Sequence, residues 1–369
     1  MKRVYVHAYL QGNLGDDLFV KTLCRRYPNI TFYVLADEVY KNRFRDLQNC
    51  KVRSVSDKRV RIADKVLKHF KNTGSYLQFL IKYSQAVIHI GGSSFVQHND
   101  DWTDFYNYDR MLVRNSKKLY LIGANFGPYR DQGYYDAYHK LFQRYEGICF
   151  RDKYSWNLFQ DIPQVSYAPD VLFQLKNNSE ANRKKKKKVI ISLIELQHRC
   201  GNYDISIYEE GYIKFHVELI RYFIRKKYTI SLLSFCQNEM DDAMIQKVCE
   251  RLSDVERKSV LCMAYQIDAD PVLLEIEDAE MIVGTRFHSV ILGFLYGCKV
   301  LPIVYDQKTE KVLEELKYPL SLKLSDLEQA RASEIGKRVM DLSPLDVRDM
   351  IGKSSKQFQY TDKLFASKN

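Results

Sequence analysis

Short apolar runs and longer amphipathic stretches alternate along the whole chain, the pattern of parallel sheets joined by crossover helices. In the first half, β-branched and aromatic runs at 4–8, 31–35, 86–90, 119–123 and 147–150 predict strands. Between them, residues 16–26 place Phe19, Leu23 and Tyr27 at fourfold spacing, which predicts a helix with one buried face. A shorter helix is predicted over 154–159, just after Arg151 and Asp152. The rhythm breaks in a charged, Asn-rich stretch at 176–188 and restarts with the apolar run 189–193. A long helix follows, with Ile213, Val217, Ile220 and Ile224 on one stripe and Tyr212, His216, Leu219 and Phe223 on the next, which assigns His216 to the core. Strands at 229–235, 260–263, 280–283 and 300–304 complete a second open sheet, and the polar stretch after Leu345 carries only a weak helical pattern.

The fold class is therefore α/β, with two Rossmann-like domains whose parallel sheets face a cleft. The break in the pattern sets the boundaries: an N-terminal domain at 1–178, a basic linker at 179–188, a C-terminal domain at 189–345 and a helical tail at 346–369. A chain of 369 residues agrees, because single cores stop growing well below that length. With 46% hydrophobic and 28% charged residues the chain buries a core and is not disordered.

The first residues are too polar for a secretory signal, and the best apolar run, 290–298, is interrupted by Gly293 and Gly297. A cytoplasmic protein is expected. Eight cysteines without a CxxC pair read as reduced thiols, and no His/Asp/Glu spacing resembles a ligand set, so neither disulfide nor metal is expected. The net charge of +11 fits nucleic acid, an anionic membrane or an anionic substrate, but no nucleic-acid motif accompanies it. Arg183 and Lys184 to Lys188 form a run that cannot be buried as bare charge. Either it is a solvated linker, or it gives peripheral contact with anionic lipid at the inner membrane face, each lysine contributing about 1 kcal/mol.

Ligands of open parallel sheets lie outside the carboxyl ends of the strands, so residues just after strands carry the functional argument. Gln11-Gly12-Asn13-Leu14-Gly15-Asp16-Asp17 follows the first strand; it is either a tight turn with a capping aspartate or a loop whose glycines let a ligand approach. Gly91-Gly92-Ser93 is either a plain glycine turn or a set of exposed amides for a sugar or anion. Arg151 either reaches a ligand or forms an Arg–Asp pair that orders its loop, and Asp170 after Pro169 has a turn role as its plain account. The sharpest segment is Gly284-Thr285-Arg286-Phe287-His288-Ser289. If the chain stays extended there, Arg286 and His288 point to one side and Phe287 to the other, setting a planar cation beside a proton carrier. Lys308 opens the next predicted helix, where it is either solvated or at the same edge.

Taken in order, Asn13 to Asp16, Gly91-Gly92, Arg151-Asp152 with Ser155, Pro169-Asp170, Arg286 with His288, and Tyr305 with Lys308 resemble the polysaccharide pyruvyl transferases. Gly293, Lys299 and Ser93 depart from that family's pattern, which bears on the acceptor more than on the reaction. The resemblance implies an architecture similar to two-domain glycosyltransferases of the B type. It also implies phosphoenolpyruvate as co-substrate without a separate cofactor, and a lipid-linked or nucleotide-linked saccharide as acceptor in exopolysaccharide or capsule assembly. The N-terminal domain would then be the acceptor side and the C-terminal domain the donor side. His288 would relay the proton, Arg286 would hold the donor's anions with help from Arg151 and Lys308, and Asp16 with Asn13 would orient and deprotonate the acceptor diol. Gly91, Gly92 and Ser93 would complete the binding surface. A nucleotide-sugar glycosyltransferase and an idle saccharide-binding subunit are the competing readings.

Overall fold

In the computed structural model, which describes residues 3–69, 75–175, 184–197 and 204–366, two all-parallel sheets build two compact units. The first sheet comprises β1 (Arg3–His7), β2 (Thr31–Ala36), β3 (Cys50–Ser54), β4 (Ala86–Ile90), β5 (Leu119–Ala124), β6 (Gly147–Phe150) and β7 (Val165–Tyr167), in the order β3-β2-β1-β4-β5-β6-β7. The second comprises β8 (Lys186–Ser192), β9 (Thr229–Ser234), β10 (Val260–Ala264), β11 (Ala279–Gly284), β12 (Lys299–Val304) and β13 (Leu322–Lys323), in the order β10-β9-β8-β11-β12-β13. Each is a Rossmann-like sheet: strand order reverses beside its first strand, between β1 and β4 in one and between β8 and β11 in the other. Those reversals are where such sheets open a crevice for ligands.

The central strands are buried on both faces, which explains their nearly continuous apolar runs. His216 lies fully buried, and its Nδ1 sits 2.8 Å from the Tyr212 carbonyl. Burial lowers its pKa to about 4, so it is a neutral core histidine.

Unit boundaries depart from the reading by sequence. Unit 1 takes Met1–Leu10, Asp16–Gln174 and Ile351–Asn369, whereas unit 2 takes Gln11–Gly15 and Leu175–Met350. The end of the chain is thus not a separate tail. Gln357 is buried in unit 1, where its Oε1 accepts from Gly123 N at 3.0 Å and its Nε2 donates to the Ala168 carbonyl at 2.7 Å. Arg26 and Tyr27 bind Asp362 at 2.7 and 2.6 Å in the same unit.

The basic linker shrinks as well. Residues 179–183 of it lie outside the described residues, and Lys186, Lys187 and Lys188 are the first residues of β8, a central strand. Lys185 Nζ donates to the carbonyls of Glu277 and Tyr296, at 2.7 and 2.6 Å, at the C-terminal ends of the helices Asp270–Asp278 and Phe287–Leu295. A cation there meets the negative ends of both helices. Lys186 pairs with Asp278 at 2.5 Å and Lys188 with Glu275 at 2.6 Å. Lys185, Lys186 and Lys188 therefore serve the bottom of the sheet. Among the described residues no helix is long and apolar enough to cross a membrane.

Candidate active site

In unit 2 the site grows from the corner between β11 and the helix Phe287–Leu295. The chain leaves the extended conformation two residues earlier than the sequence reading assumed, at Arg286 rather than His288. Arg286 is the N-cap (φ −68°, ψ 131°), its carbonyl accepts from Ser289 N at 3.0 Å and from Ser289 Oγ at 2.6 Å, and Phe287 already belongs to the helix. Arg286 and His288 are therefore cap and second helical residue, not neighbours on one strand face. Gly284 lets the helix start this close, since a Cβ there would lie 2.6 Å from Ser289 Oγ.

The Arg286 side chain is buried, and carboxylates occupy its fork. Nε donates to Asp241 Oδ2 at 2.9 Å, Nη2 to Asp241 Oδ1, and Nη1 to Glu239 Oε2 at 2.6 Å. Asp241 Oδ2 also accepts from the amides of Phe235 and Cys236 at 3.2 and 3.0 Å, so one carboxylate ties the end of β9 to the corner after β11. Burial works against the guanidinium charge, but the two carboxylates more than offset it and hold Arg286 well above the ordinary arginine pKa. Sequence reading missed Asp241 and Glu239, which stand 45 and 47 residues from Arg286.

His288 is 8% exposed. A Cβ on Gly15 would lie 1.7 Å from its Nδ1, so only a glycine lets the backbone pass over the imidazole. Gly15 ends the Gln11–Gly15 segment of unit 2, which lies on the end of β9: Leu14 N donates to Phe235 O at 3.0 Å, and Asn13 bridges to Cys236. Asn13 Oδ1 accepts from Gly15 N at 3.0 Å and so shapes this turn. Lys308 pairs with Asp306 at 3.1 Å, and Asp306 caps the helix Gln307–Glu315 through Thr309 N. Burial alone would raise the Asp306 pKa; Lys308 and Thr309 more than reverse it, and the carboxyl is lowered.

In unit 1, Asp16 is buried in the first turn of the helix Leu14–Arg26. Gly92 presses on Arg151, a Cβ there falling 2.6 Å from Nη1. The Arg151 guanidinium is buried between Asp170 (Nη1 to Oδ2, 3.1 Å) and Asn125 (Nη2 to Oδ1, 2.7 Å). The structure thus places Arg151 in an ordering pair, with Asp170 rather than with adjacent Asp152, which caps the helix Lys153–Leu158 through Ser155 N at 2.7 Å. Burial raises the Asp170 pKa and Arg151 opposes the rise. Gly91 is buried and Ser93 exposed at the same turn.

A second group in unit 1 escaped the sequence reading. His7 ends β1 opposite His89 of β4, with ring centroids 4.5 Å apart, at the point where strand order reverses. Tyr108 OH lies 3.4 Å from His7 Nδ1, and His89 Nδ1 lies 3.9 Å from Asp109 Oδ1, whose other oxygen accepts from Tyr138 OH at 2.8 Å. Burial lowers the His7 pKa to about 4 and raises that of Asp109 to about 7. The recognisable sign was a histidine near the end of each of two predicted strands, 4–8 and 86–90.

Comparison with known proteins bears on the family and the fold. The sequence model of the family described as polysaccharide pyruvyl transferase matches residues 13–307. The amylovoran biosynthesis protein AmsJ of Erwinia amylovora is 21% identical over 368 residues, covering 86% of this chain and 87% of that protein. Among solved structures, Anabaena Alr3699/HepE in complex with UDP-glucose superposes with a TM-score of 0.60 at 11% identity, all of both chains being covered. The UDP-GlcNAc 2-epimerase of Methanocaldococcus jannaschii gives 0.59 at 10% identity, again over all of both chains. At such identities the likeness is one of fold.

Proposed function

Because this chain belongs to the polysaccharide pyruvyl transferase family, we propose that it builds a pyruvate ketal on a sugar of a surface-polysaccharide precursor, with phosphoenolpyruvate as donor. The observation that carries the reading is the family match over 13–307, which takes in the Asn13 loop and the Arg286–His288 corner. The relative named for amylovoran biosynthesis supports a polysaccharide acceptor.

The reaction asks for a proton on the donor's methylene carbon, addition of one sugar hydroxyl to the resulting cationic carbon, departure of phosphate and attack by a second hydroxyl. Both hydroxyl protons leave; one replaces the proton given to the methylene and the other leaves with phosphate or solvent. An acid and a base are required. We assign the acid to His288, on the first turn of its helix, and the base to Asp16. The amides at that helix start favour the donor's phosphate and carboxylate, and Lys308 supplies a cation from the next helix start. Arg286 has its fork filled by Asp241 and Glu239, so its part is to hold the corner that presents His288. Arg151 has the matching part in unit 1, through Asp170 and Asn125, where Gly91, Gly92 and Ser93 shape the turn beside it.

The test is incubation with phosphoenolpyruvate and a panel of lipid-linked and nucleotide-linked saccharides, following phosphate release and product mass. A ketal-bearing product, with equal yield in excess chelator, is expected. Glycosyl transfer from a nucleotide sugar without phosphate release from phosphoenolpyruvate would overturn the reading.

A further inference from the structure

The +11 charge needs another outlet once Lys185, Lys186 and Lys188 are accounted for by helix ends and carboxylates. The helix Lys58–His69 of unit 1 provides one. Its inner face is set by Val60, which is buried, and by half-buried Ala63, Asp64 and Leu67; Asp64 accepts from Tyr76 N at 2.8 Å and ties the helix to its neighbour Tyr76–Lys82. The outer face is of mixed character. Ile62 and Val66, one turn apart, run along its middle and are 62% and 49% exposed. Helical spacing sets Lys58, Arg61 and Lys65 on one flank of that apolar line and Arg59 on the other, all four exposed. Among the described residues, none of these four cations is in a salt bridge. The first turn of the helix holds no acidic residue, and its cap side chain, Asp57 (Oδ1 accepting from Arg59 N at 2.9 Å), lies before it.

An exposed β-branched line bordered by cations is the arrangement of a helix that lies in a membrane interface, apolar side chains down and long basic stems reaching to the headgroups. We propose that unit 1 docks on an anionic phospholipid surface through the outer face of the helix Lys58–His69. Charge complementarity selects anionic over neutral lipid. The exposed Ile62 and Val66 favour lipid over a nucleic-acid backbone, which would need the cations alone. The inference rests on this surface and not on the reaction, so its failure leaves the pyruvyl transferase reading untouched.

The test is co-sedimentation of the full chain with vesicles of phosphatidylcholine alone and of phosphatidylcholine mixed with phosphatidylglycerol. Binding is expected to the mixed vesicles only, and to weaken as salt rises. Arg59→Ala with Lys65→Ala should weaken it by roughly 25-fold, about fivefold for each charge. Ile62→Ser with Val66→Ser should also weaken it with every charge in place, whereas Lys187→Ala should not. All three variants should melt like the parent, their positions being exposed or at the end of a strand. Equal binding to neutral vesicles, or parent-like binding by both double variants, overturns the proposal. So does tight binding to duplex RNA that survives Ile62→Ser with Val66→Ser while vesicle binding is absent.

Discussion

Arg286 and His288 stand two residues apart, yet their surroundings ask different work of them. The guanidinium is buried among two carboxylates and completes the fold of the corner, while the imidazole lies under a glycine on the first helical turn. Arg286→Ala leaves Asp241 buried without its partner, and should cost about 3–5 kcal/mol of unfolding free energy in urea. His288→Gln should leave stability nearly unchanged and lower turnover by roughly 100-fold to 10,000-fold. If the two variants lose stability equally, the division of roles is wrong. The residue pair was legible in the sequence, but its partners were not: Asp241 reaches Arg286 only because β9 and β11 flank β8, a pairing with no local pattern. The buried histidine group carries a pH signature of its own. Asp109 titrates at about 7 in the fold, above its unfolded value, so between about pH 4 and pH 7 the folded state holds more protons and stability falls as pH rises. His7, lowered to about 4, acts in the opposite sense up to about pH 6.5. Asp109→Asn removes the first contribution and keeps an acceptor for Tyr138. Its stability advantage over the parent should grow by on the order of 2 kcal/mol from about pH 5 to about pH 8. An advantage that stays flat across paired thermal melts would mean Asp109 is not held protonated.

At the scale of elements, strands buried on both faces announce themselves. The runs read at 86–90 and 147–150 coincide with β4 and β6, and most others fall within a residue or two of the observed ends. Those passed over are β3, whose Lys51 and Arg53 dilute it, and the three- and two-residue strands β7 and β13. Lys184 to Lys188 read in the sequence as a solvated linker or a contact with anionic lipid, because like charges in a row cannot be buried bare. Nothing local says that two helix C-terminal ends and two carboxylates wait for that run. The turn after β1 has the same lesson. Gly15 looks like ordinary turn chemistry in the sequence, while in the structure it is the residue over which His288 fits. Gly15→Ala should therefore act on the imidazole, displacing it at a cost of about 1–3 kcal/mol and reducing turnover as His288→Gln does, with no titratable group changed. An alanine variant that turns over at the parent rate would show that the ring has room to move and that its observed position is not the working one.

Over the whole molecule, two tandem parallel sheets could be read from alternation alone, but not which pieces of chain complete each unit. Local periodicity carries no information about a segment that returns after a hundred residues or more. The stretch from Ile351 onward is the clearest case: it was read as a tail because it is polar, yet it belongs to unit 1. Its polarity has a purpose there. Gln357 is 1% exposed and spans loop ends from three strands, accepting from Gly123 N and donating to the carbonyls of Phe150, Ala168 and Pro169. An apolar residue of equal size would leave those groups buried without partners. Gln357→Ala should thus destabilise unit 1 by about 1–3 kcal/mol for the stranded Gly123 amide, and by more if the carbonyls are not rehydrated. The readout is convenient, because both tryptophans of the chain, Trp102 and Trp156, lie in unit 1. Urea unfolding followed by tryptophan fluorescence should show the midpoint of the Gln357 variant lowered. Gln359→Ala, which removes a single 2.6 Å contact to Ser166, should move the same transition less. A midpoint unmoved by Gln357→Ala would mean that unit 1 holds together without the returning segment, and that the end of the chain is a tail after all.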